Sequence, residues 1–495
     1  MAGIKIKWHW IVGIGCVILF VVLLAFRIYY PGQFPFFPAK DQEGTHLSRV
    51  DTFQNKETWL NISQNGRKIG YAHRRFSRTE KGYHYVESVS MQINTMGVVQ
   101  GITFKTNGFL SPDMTLSSFD FDLRSSLFRF KVHGVVNGKQ LTLYTEMPGS
   151  EKKSVLSLKE VPRLASGILE SARVAEMKVG QSRSFHVFDP AAMGQRPVKV
   201  TIMGDDVITV MGQSRNTRKV SLDFMGVKQF AWVGEEGDIV KEQGILGITL
   251  EQVTKHQALG EFTLNASADL TDIASVPSNI VIADPGTLTS LKVKISNIDS
   301  SNLVLNGGRQ TFKKDILSVQ KETIPTRSFR EVSISGNEEF LKPTIFIQSD
   351  HQKIKDKVME IVSPDDPLKV KAEKLLAWVY KSVEKRPVLS VPNALETLNN
   401  LVGDCNEHAV LLAALARAAG IPAQVEAGLV YQRGRFYYHA WNVLYIGTWV
   451  TADAVMGQMP ADVSHIRFVR GEVDRQIDLI GIIGKVRLKV LEKSQ

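Results

Sequence analysis

Cysteine is almost absent from this chain: 495 residues contain two. Cys16 lies inside an apolar N-terminal run, and Cys405 opens "CNEHAVLLAALARAAGIP". With Cys16 read as membrane-embedded, Cys405 has no partner, so a structural disulfide within the chain is excluded. Also missing are a GxGxxG turn, a Walker loop and an HExxH pair, so no dinucleotide, P-loop or zincin chemistry is signalled. The net charge of +10 is not gathered into Lys/Arg blocks with interleaved aromatics. Scattered basic residues describe a solvated surface that anionic lipid can attract, and no nucleic-acid partner is expected. No repeat of fixed period and no low-complexity segment occurs. A hydrophobic share of 43% and a charged share of 22% are ordinary for globular protein. The length allows about two or three domains.

Charge is also absent from Trp8 to Phe26, a stretch long enough to cross a bilayer as a helix. Trp8, Trp10, Tyr29 and Tyr30 flank it where interfacial aromatics belong. A cleaved signal peptide is the rival reading, but "LLAFRIYYPGQ" offers no A-x-A site. "GIGC" weakly mimics a lipoprotein cleavage site, yet apolar residues continue past Cys16, which reads as a lipid-facing side chain. Lys5 and Lys7 outweigh Arg27, so the N-terminus is expected to stay in the cytoplasm and the bulk of the chain to be exported. An unpaired thiol in an oxidising compartment is a liability unless it is buried or used.

Residues 1–30 form the expected anchor and 31–50, "PGQFPFFPAKDQEGTHLSRV", a Pro-rich tether. Residues 51–275 read as an antiparallel β-rich domain. Asn65-Gly66 and Asn137-Gly138 are hairpin dipeptides. "VKVTIMGDDVITVMGQ" and "KQFAWVGEEGDIVKEQ" read as further hairpins with Gly/Asp turns, and "VPRLASGILESARVAEM" as a helical exception. In pattern alone the domain resembles the curved-sheet domains of lipoprotein carriers. A β-rich linking segment is expected over 276–338, a cysteine domain over 339–475 and a tail over 476–495. The expected fold class is α+β.

The pattern turns helical after about residue 340. Asp366 and Pro367 read as N-cap and first turn of a helix with apolar positions Leu368, Ala372, Leu375, Leu376, Val379 and Val383. Asn393 and Glu396 suggest a capping box. Asp404 and Glu407 suggest another, with Gly420 and Pro422 ending that helix. Cys405 then sits in the first turn, where the helix dipole favours a thiolate and free N–H groups can meet an oxyanion. "AQVEAGLVYQ", "RFYYHAWNVLYI" and "TWVTADAV" read as three strands that place His439 and Asp453 on neighbours. A thiol nucleophile needs a base, and the base needs an orienting carboxylate; Cys405, His439 and Asp453 supply these in order. Plainer readings compete. Cys405 can be a small buried apolar residue and His439 a satisfied strand histidine. A zinc site from Cys405, His408 and His439 lacks a completing ligand pair. Asp404, His408, Trp441 and Tyr438 are candidate pocket residues, with Trp441 and Tyr438 equally readable as core. His465 reads as structural.

"GDCNEHAVLLAALARAAGIPAQVEAGLVY", "FYYHAWNVLYIGTWVTAD" and "GQMPADVSHIRF" together resemble the transglutaminase-like superfamily, specifically its bacterial members, over roughly residues 365–475. The resemblance implies a papain-like domain with Cys405 as nucleophile, His439 as base and Asp453 as orienter. The family often has Pro after the Asp; Ala454 stands there, a change to backbone shape and not to chemistry. It implies cysteine acyl chemistry on amides of a peptide or protein substrate, with hydrolysis favoured over cross-linking and no cofactor or metal. The alternative is a binding or scaffolding protein whose β domain holds lipid, peptide or an envelope partner. The expected location is the bacterial cytoplasmic membrane, single-pass, with the C-terminal domains periplasmic. A reporter that works only after export, fused behind Gln495, is therefore expected to be active; a fusion active only in the cytoplasm would overturn this topology.

Overall fold

The computed structural model describes residues 55–147, 150–164, 177–191, 193–224, 227–235, 237–260, 269–324 and 333–495. The expected membrane segment, the tether and most of the expected helix at 161–177 lie outside them. Among the described residues no helix is long and apolar enough to cross a membrane. The chain is mostly β, with one large antiparallel sheet, so α+β describes only its C-terminal part.

Among the described residues that sheet has fifteen strands. Strand β1 (Lys56–Gln64) turns into β2 (Arg67–Thr79) through Asn65 (φ 49°) and Gly66 (φ 80°), the left-handed pair that a two-residue hairpin requires. From β2 the meander runs outward to Ser150–Ser157. On its other side β1 pairs with β4 (Ile248–Val253), and the sheet continues backward along the sequence to Arg163–Leu164. Only that last pair is parallel. Alternate residues face one interior, as in Leu60, Ile62, Phe121 and Leu222. Phe119 and Phe188 come from strands well apart along the sheet, yet their rings lie 5.6 Å apart. The sheet therefore curls over its own core.

One expected turn proves to be no turn. β3 (Gly194–Val210) runs straight through Gly204-Asp205-Asp206, and the pairing register shifts there between Ile202 and Gly204. Gly204 (φ 146°) carries a β-bulge, and the chain reverses later, at Met211-Gly212.

After the large sheet, β5 (Val276–Pro277) leads to β6 (Ser290–Ser296), β7 (Gln310–Lys313) and β8 (Ile316–Gln320). Helices α1 (Gln352–Ile361), α2 (Leu368–Ser382), α3 (Ala394–Asn400) and α4 (Cys405–Ala418) follow. The N-cap of α2 is Pro367 and not Asp366; Asp366 instead accepts from Ser363 and pairs with Lys374. Asn393 does cap α3, accepting from Leu395 and Glu396. Strands β9 (Ala423–Gln432), β10 (Arg435–Tyr445), β11 (Trp449–Ala452) and β12 (Ile466–Arg470) complete the second half. They form a sheet in the order β5-β10-β9-β12, with β11 on β10. Residues 476–495 are not a tail: β13 (Arg487–Ser494) pairs along the whole of β6, closing a four-stranded sheet in the order β7-β8-β6-β13.

The large sheet packs on the helical half. Phe130 meets Phe346 at 6.4 Å, Gln100 donates to the Pro387 carbonyl, Asn400 donates to the Leu127 carbonyl, and Arg196 pairs with Asp478.

Close approach in the site-bearing sheet has one sharp requirement. Gly428 on β9 lies opposite His439, and a Cβ there would sit 1.9 Å from the Ile466 carbonyl oxygen of β12. Backbone, not a flexible side chain, blocks it. Gly428→Ala is expected to cost about 3 kcal/mol, read as a lowered midpoint in denaturant unfolding of the full chain.

Candidate active site

Helix α4 is apolar nearly all round, from Ala409 and Val410 to Leu415 and Ala416, which suits a core helix. Its start is built by a complete capping box. Asp404 accepts from the Asn406 amide at 3.0 Å, and Glu407 accepts from the Asp404 amide at 3.1 Å. Gly420 (φ 81°) ends it as the sequence suggests. Cys405 is thus the first helical residue. The Ala440 backbone amide of β10 hydrogen-bonds its sulfur, and Asn442 ties β10 to the Ala409 carbonyl of α4. The nucleophile candidate is therefore seated against the strand that carries His439.

The tight β9–β10 hairpin, with Arg433 (φ 44°) and Gly434 (φ 85°) at its turn, fixes the register of His439. β11 returns beside β10 with Asn442 opposite Ala452, so Asp453 follows directly. His439 Nε2 meets Asp453 Oδ2 at 2.7 Å. Donation from Nε2 leaves the lone pair on Nδ1, the tautomer a base needs. Cys405, His439 and Asp453 are each 0% exposed. Burial would raise the Asp453 carboxyl, but the His439 and His465 imidazoles reverse this and hold it well below the usual carboxylate range.

The thiol behaves oppositely to the sequence expectation. Burial pushes Cys405 well above the ordinary thiol range, and the Asp404 charge adds to this, while the Ala440 hydrogen bond opposes it. The helix-end effect on which a resting thiolate rests is the smaller force in a site without solvent.

The four candidate pocket residues are all interior. Asp404 serves the helix cap and also accepts from the Val388 amide at 3.4 Å. His408 Nδ1 lies 2.6 Å from the Asp404 carbonyl, and burial pushes its imidazole down to about 4, leaving it neutral. Trp441 donates to Glu426 at 2.9 Å and stacks on His439 at 6.1 Å, walling the base. Tyr438 lies on the other face of β10, its hydroxyl buried and without a hydrogen-bond partner.

Sequence reading under-weighted His465. Its Nε2 meets the same Asp453 oxygen at 3.0 Å, and its Nδ1 lies 3.3 Å from Asp462. A signal existed: an acid–Ser–His run, Asp462 to His465, behind a predicted catalytic strand. His439, Asp453 and His465 are the described residues whose ligand atoms cluster closely enough for a metal ion. Cys405 and His408 are not among them. With acceptors at both nitrogens His465 has no lone pair to give a cation, so the set does not suit one.

Among known proteins, a family profile described as the transglutaminase-like superfamily matches residues 355–454. No curated protein matches the chain. A solved structure of a candidate cysteine protease from Cytophaga hutchinsonii is 18% identical, with 42% of this chain and 86% of that one covered and a TM-score of 0.27. A β-barrel-like protein of a domain of unknown function from Brucella abortus is 12% identical, with 40% and 94% covered and a TM-score of 0.32.

The protonated, buried thiol makes a direct prediction. Iodoacetamide should alkylate Cys405 slowly at pH 7, and the rate should climb only above the free-cysteine pKa of about 8.5. Rapid alkylation below pH 7 that slows in His439→Ala would instead demonstrate a resting thiolate–imidazolium pair.

Proposed function

The chain belongs to the transglutaminase-like superfamily through residues 355–454, and from that premise we propose that it is a cysteine acyl-transfer enzyme acting on amide bonds of a peptide or protein. The observation that carries this reading is the buried 2.7 Å bond between His439 Nε2 and Asp453, beside a cysteine at a helix start. His439 Nδ1 takes the proton from Cys405 as the sulfur attacks the amide carbonyl. The carbonyl electron pair moves to oxygen, where backbone N–H groups at the start of α4 can meet it. Collapse restores the carbonyl and expels the amine, which leaves with the proton held by His439. A thioester remains. Water, deprotonated by His439, attacks it; the acid is released and Cys405 regains its proton. We favour water as acceptor because it needs no second binding surface beside the thioester; an amine acceptor would give transamidation.

A site that is 0% exposed must open for substrate. Deprotonation of Cys405 then belongs to the bound state, where substrate has replaced its surroundings. We further propose that residues 8–26 anchor the chain in the bacterial cytoplasmic membrane, with the enzyme outside. This rests on the uncharged run and its flanking lysines and aromatics.

A second reading has support in the same burial: an inaccessible, protonated thiol suits a binding or scaffolding protein, whose large sheet would hold lipid, peptide or an envelope partner. Cys405→Ala separates the two. The enzyme reading expects the variant to fold, with a stability change on the order of 1 kcal/mol, and to lose turnover by about 10⁶-fold. Asp453→Asn should lose less, on the order of 10⁴-fold, because the base remains but loses its orienter. Full complementation of a deletion strain by Cys405→Ala at normal protein level would favour the scaffold.

A further inference from the structure

Asp453 accepts four hydrogen bonds. Its Oδ1 takes the Val455 and Met456 amides at 2.7 and 3.0 Å. Its Oδ2 is shared between His439 at 2.7 Å and His465 at 3.0 Å. His465 is in turn held from behind. Its Nδ1 faces the Asp462 side chain at 3.3 Å and the Asp462 carbonyl at 3.2 Å. Asp462 is fixed by the Ser464 amide and hydroxyl at 2.8 and 2.6 Å and by Gln458 at 3.2 Å. The Trp441 ring meets His465 edge-on at 5.1 Å and stacks beside His439. The Arg309 guanidinium, neutralised by Glu322 at 3.0 Å, binds the His465 carbonyl. The charged and titratable groups facing His465 are therefore Asp453, Asp462, His439 and the Arg309–Glu322 pair.

We infer that His465 is a positioning residue of this site: a buried imidazolium that pins the shared oxygen of Asp453 and divides that carboxylate's charge with His439. The inference rests on the triad reading above. Acceptors at both ring nitrogens require both to carry protons. Burial pulls the ring down, but the Asp462 charge and the hydrogen bonds to both carboxylates raise it to about 9. The cation acts in two ways. It keeps the carboxylate from rotating away from His439. It also shares the Asp453 charge that would otherwise act on His439 alone.

His465→Gln keeps an N–H near Asp453 Oδ2 and removes the charge; His465→Ala removes both. In the full chain, His465→Gln should retain turnover of a peptide-amide probe, with the acid limb of kcat/KM moved to higher pH by about one unit. A unit charge 5.7 Å away, ring centroid to ring centroid, would give about two units at an effective dielectric near 20, and rearrangement of the site is taken to remove roughly half of that. His465→Ala should lose turnover at least 10-fold, and added imidazole should restore part of it. A residue that only fills space would leave the limb in place and give no rescue. Nitrogen NMR of [15N]histidine-labelled full chain reads the same property without turnover. One histidine should show both nitrogens protonated from pH 6 to pH 8, vanish in His465→Gln, and leave the His439 signals shifted. If wild type turns over no amide, the acyl-transfer reading fails and the NMR alone decides the positioning. Singly protonated His465 at pH 7, unmoved His439 signals, or a wild-type pH profile in His465→Gln would each overturn it.

Discussion

One buried carboxylate organises the candidate site. Asp453 is 0% exposed, so its charge must be met inside the protein or not exist. Four donors meet it, and each fixes something else. The Val455 and Met456 amides set the chain's turn after β11. His439 is held in the tautomer that leaves Nδ1 as the basic atom. His465 is made a cation, which requires the Asp462 carboxylate behind it. A parallel arrangement supports the wall: Glu426, also buried, receives Trp441, Arg467 and Arg470. Arg467 further grips the carbonyls of Val304, Asn306 and Gly307, so the four-stranded sheet is joined to the wall of the site.

The large sheet is coupled to the nucleophile through one segment. Gln100 holds the Pro387 carbonyl from outside. On its other side the same segment reaches the start of α4, with the Val388 amide on Asp404 and the Ser390 hydroxyl on Glu407. Those two acids are the capping box that seats Cys405. Docking of the sheet and orientation of the nucleophile helix are thus two ends of one chain of hydrogen bonds.

What could be read from the sequence was local. Asp404 with Glu407, Asn393, Gly420 and the Asn65-Gly66 turn each act within a few residues, and short-range chemistry fixes them. The order Cys405, His439, Asp453 was legible because the strand pattern around it is strong, and the structure bonds the last two. Gly204-Asp205-Asp206 was misread because the same residues suit a turn and a bulge; only the partner strand decides. The thiol was misjudged because a helix end is visible in sequence while desolvation belongs to the finished interior. His465 needed the spatial neighbour Asp453, and β13 needed β6, both set by tertiary packing.

The pairing of β6 with β13 imposes an order of events. The two strands lie on opposite sides of the whole helical and site-bearing half of the chain. A ribosome delivers β6 long before β13, so one edge of β6 stands unsatisfied while everything between is made, and closing so long a loop is slow. An open strand edge invites foreign strands. Lys292 and Lys294 alternate with Leu291, Val293 and Ile295 along it, and in the finished fold Lys292 pairs with Glu492 of the late-arriving strand. The charges that guard the waiting edge also help select the strand that finally occupies it.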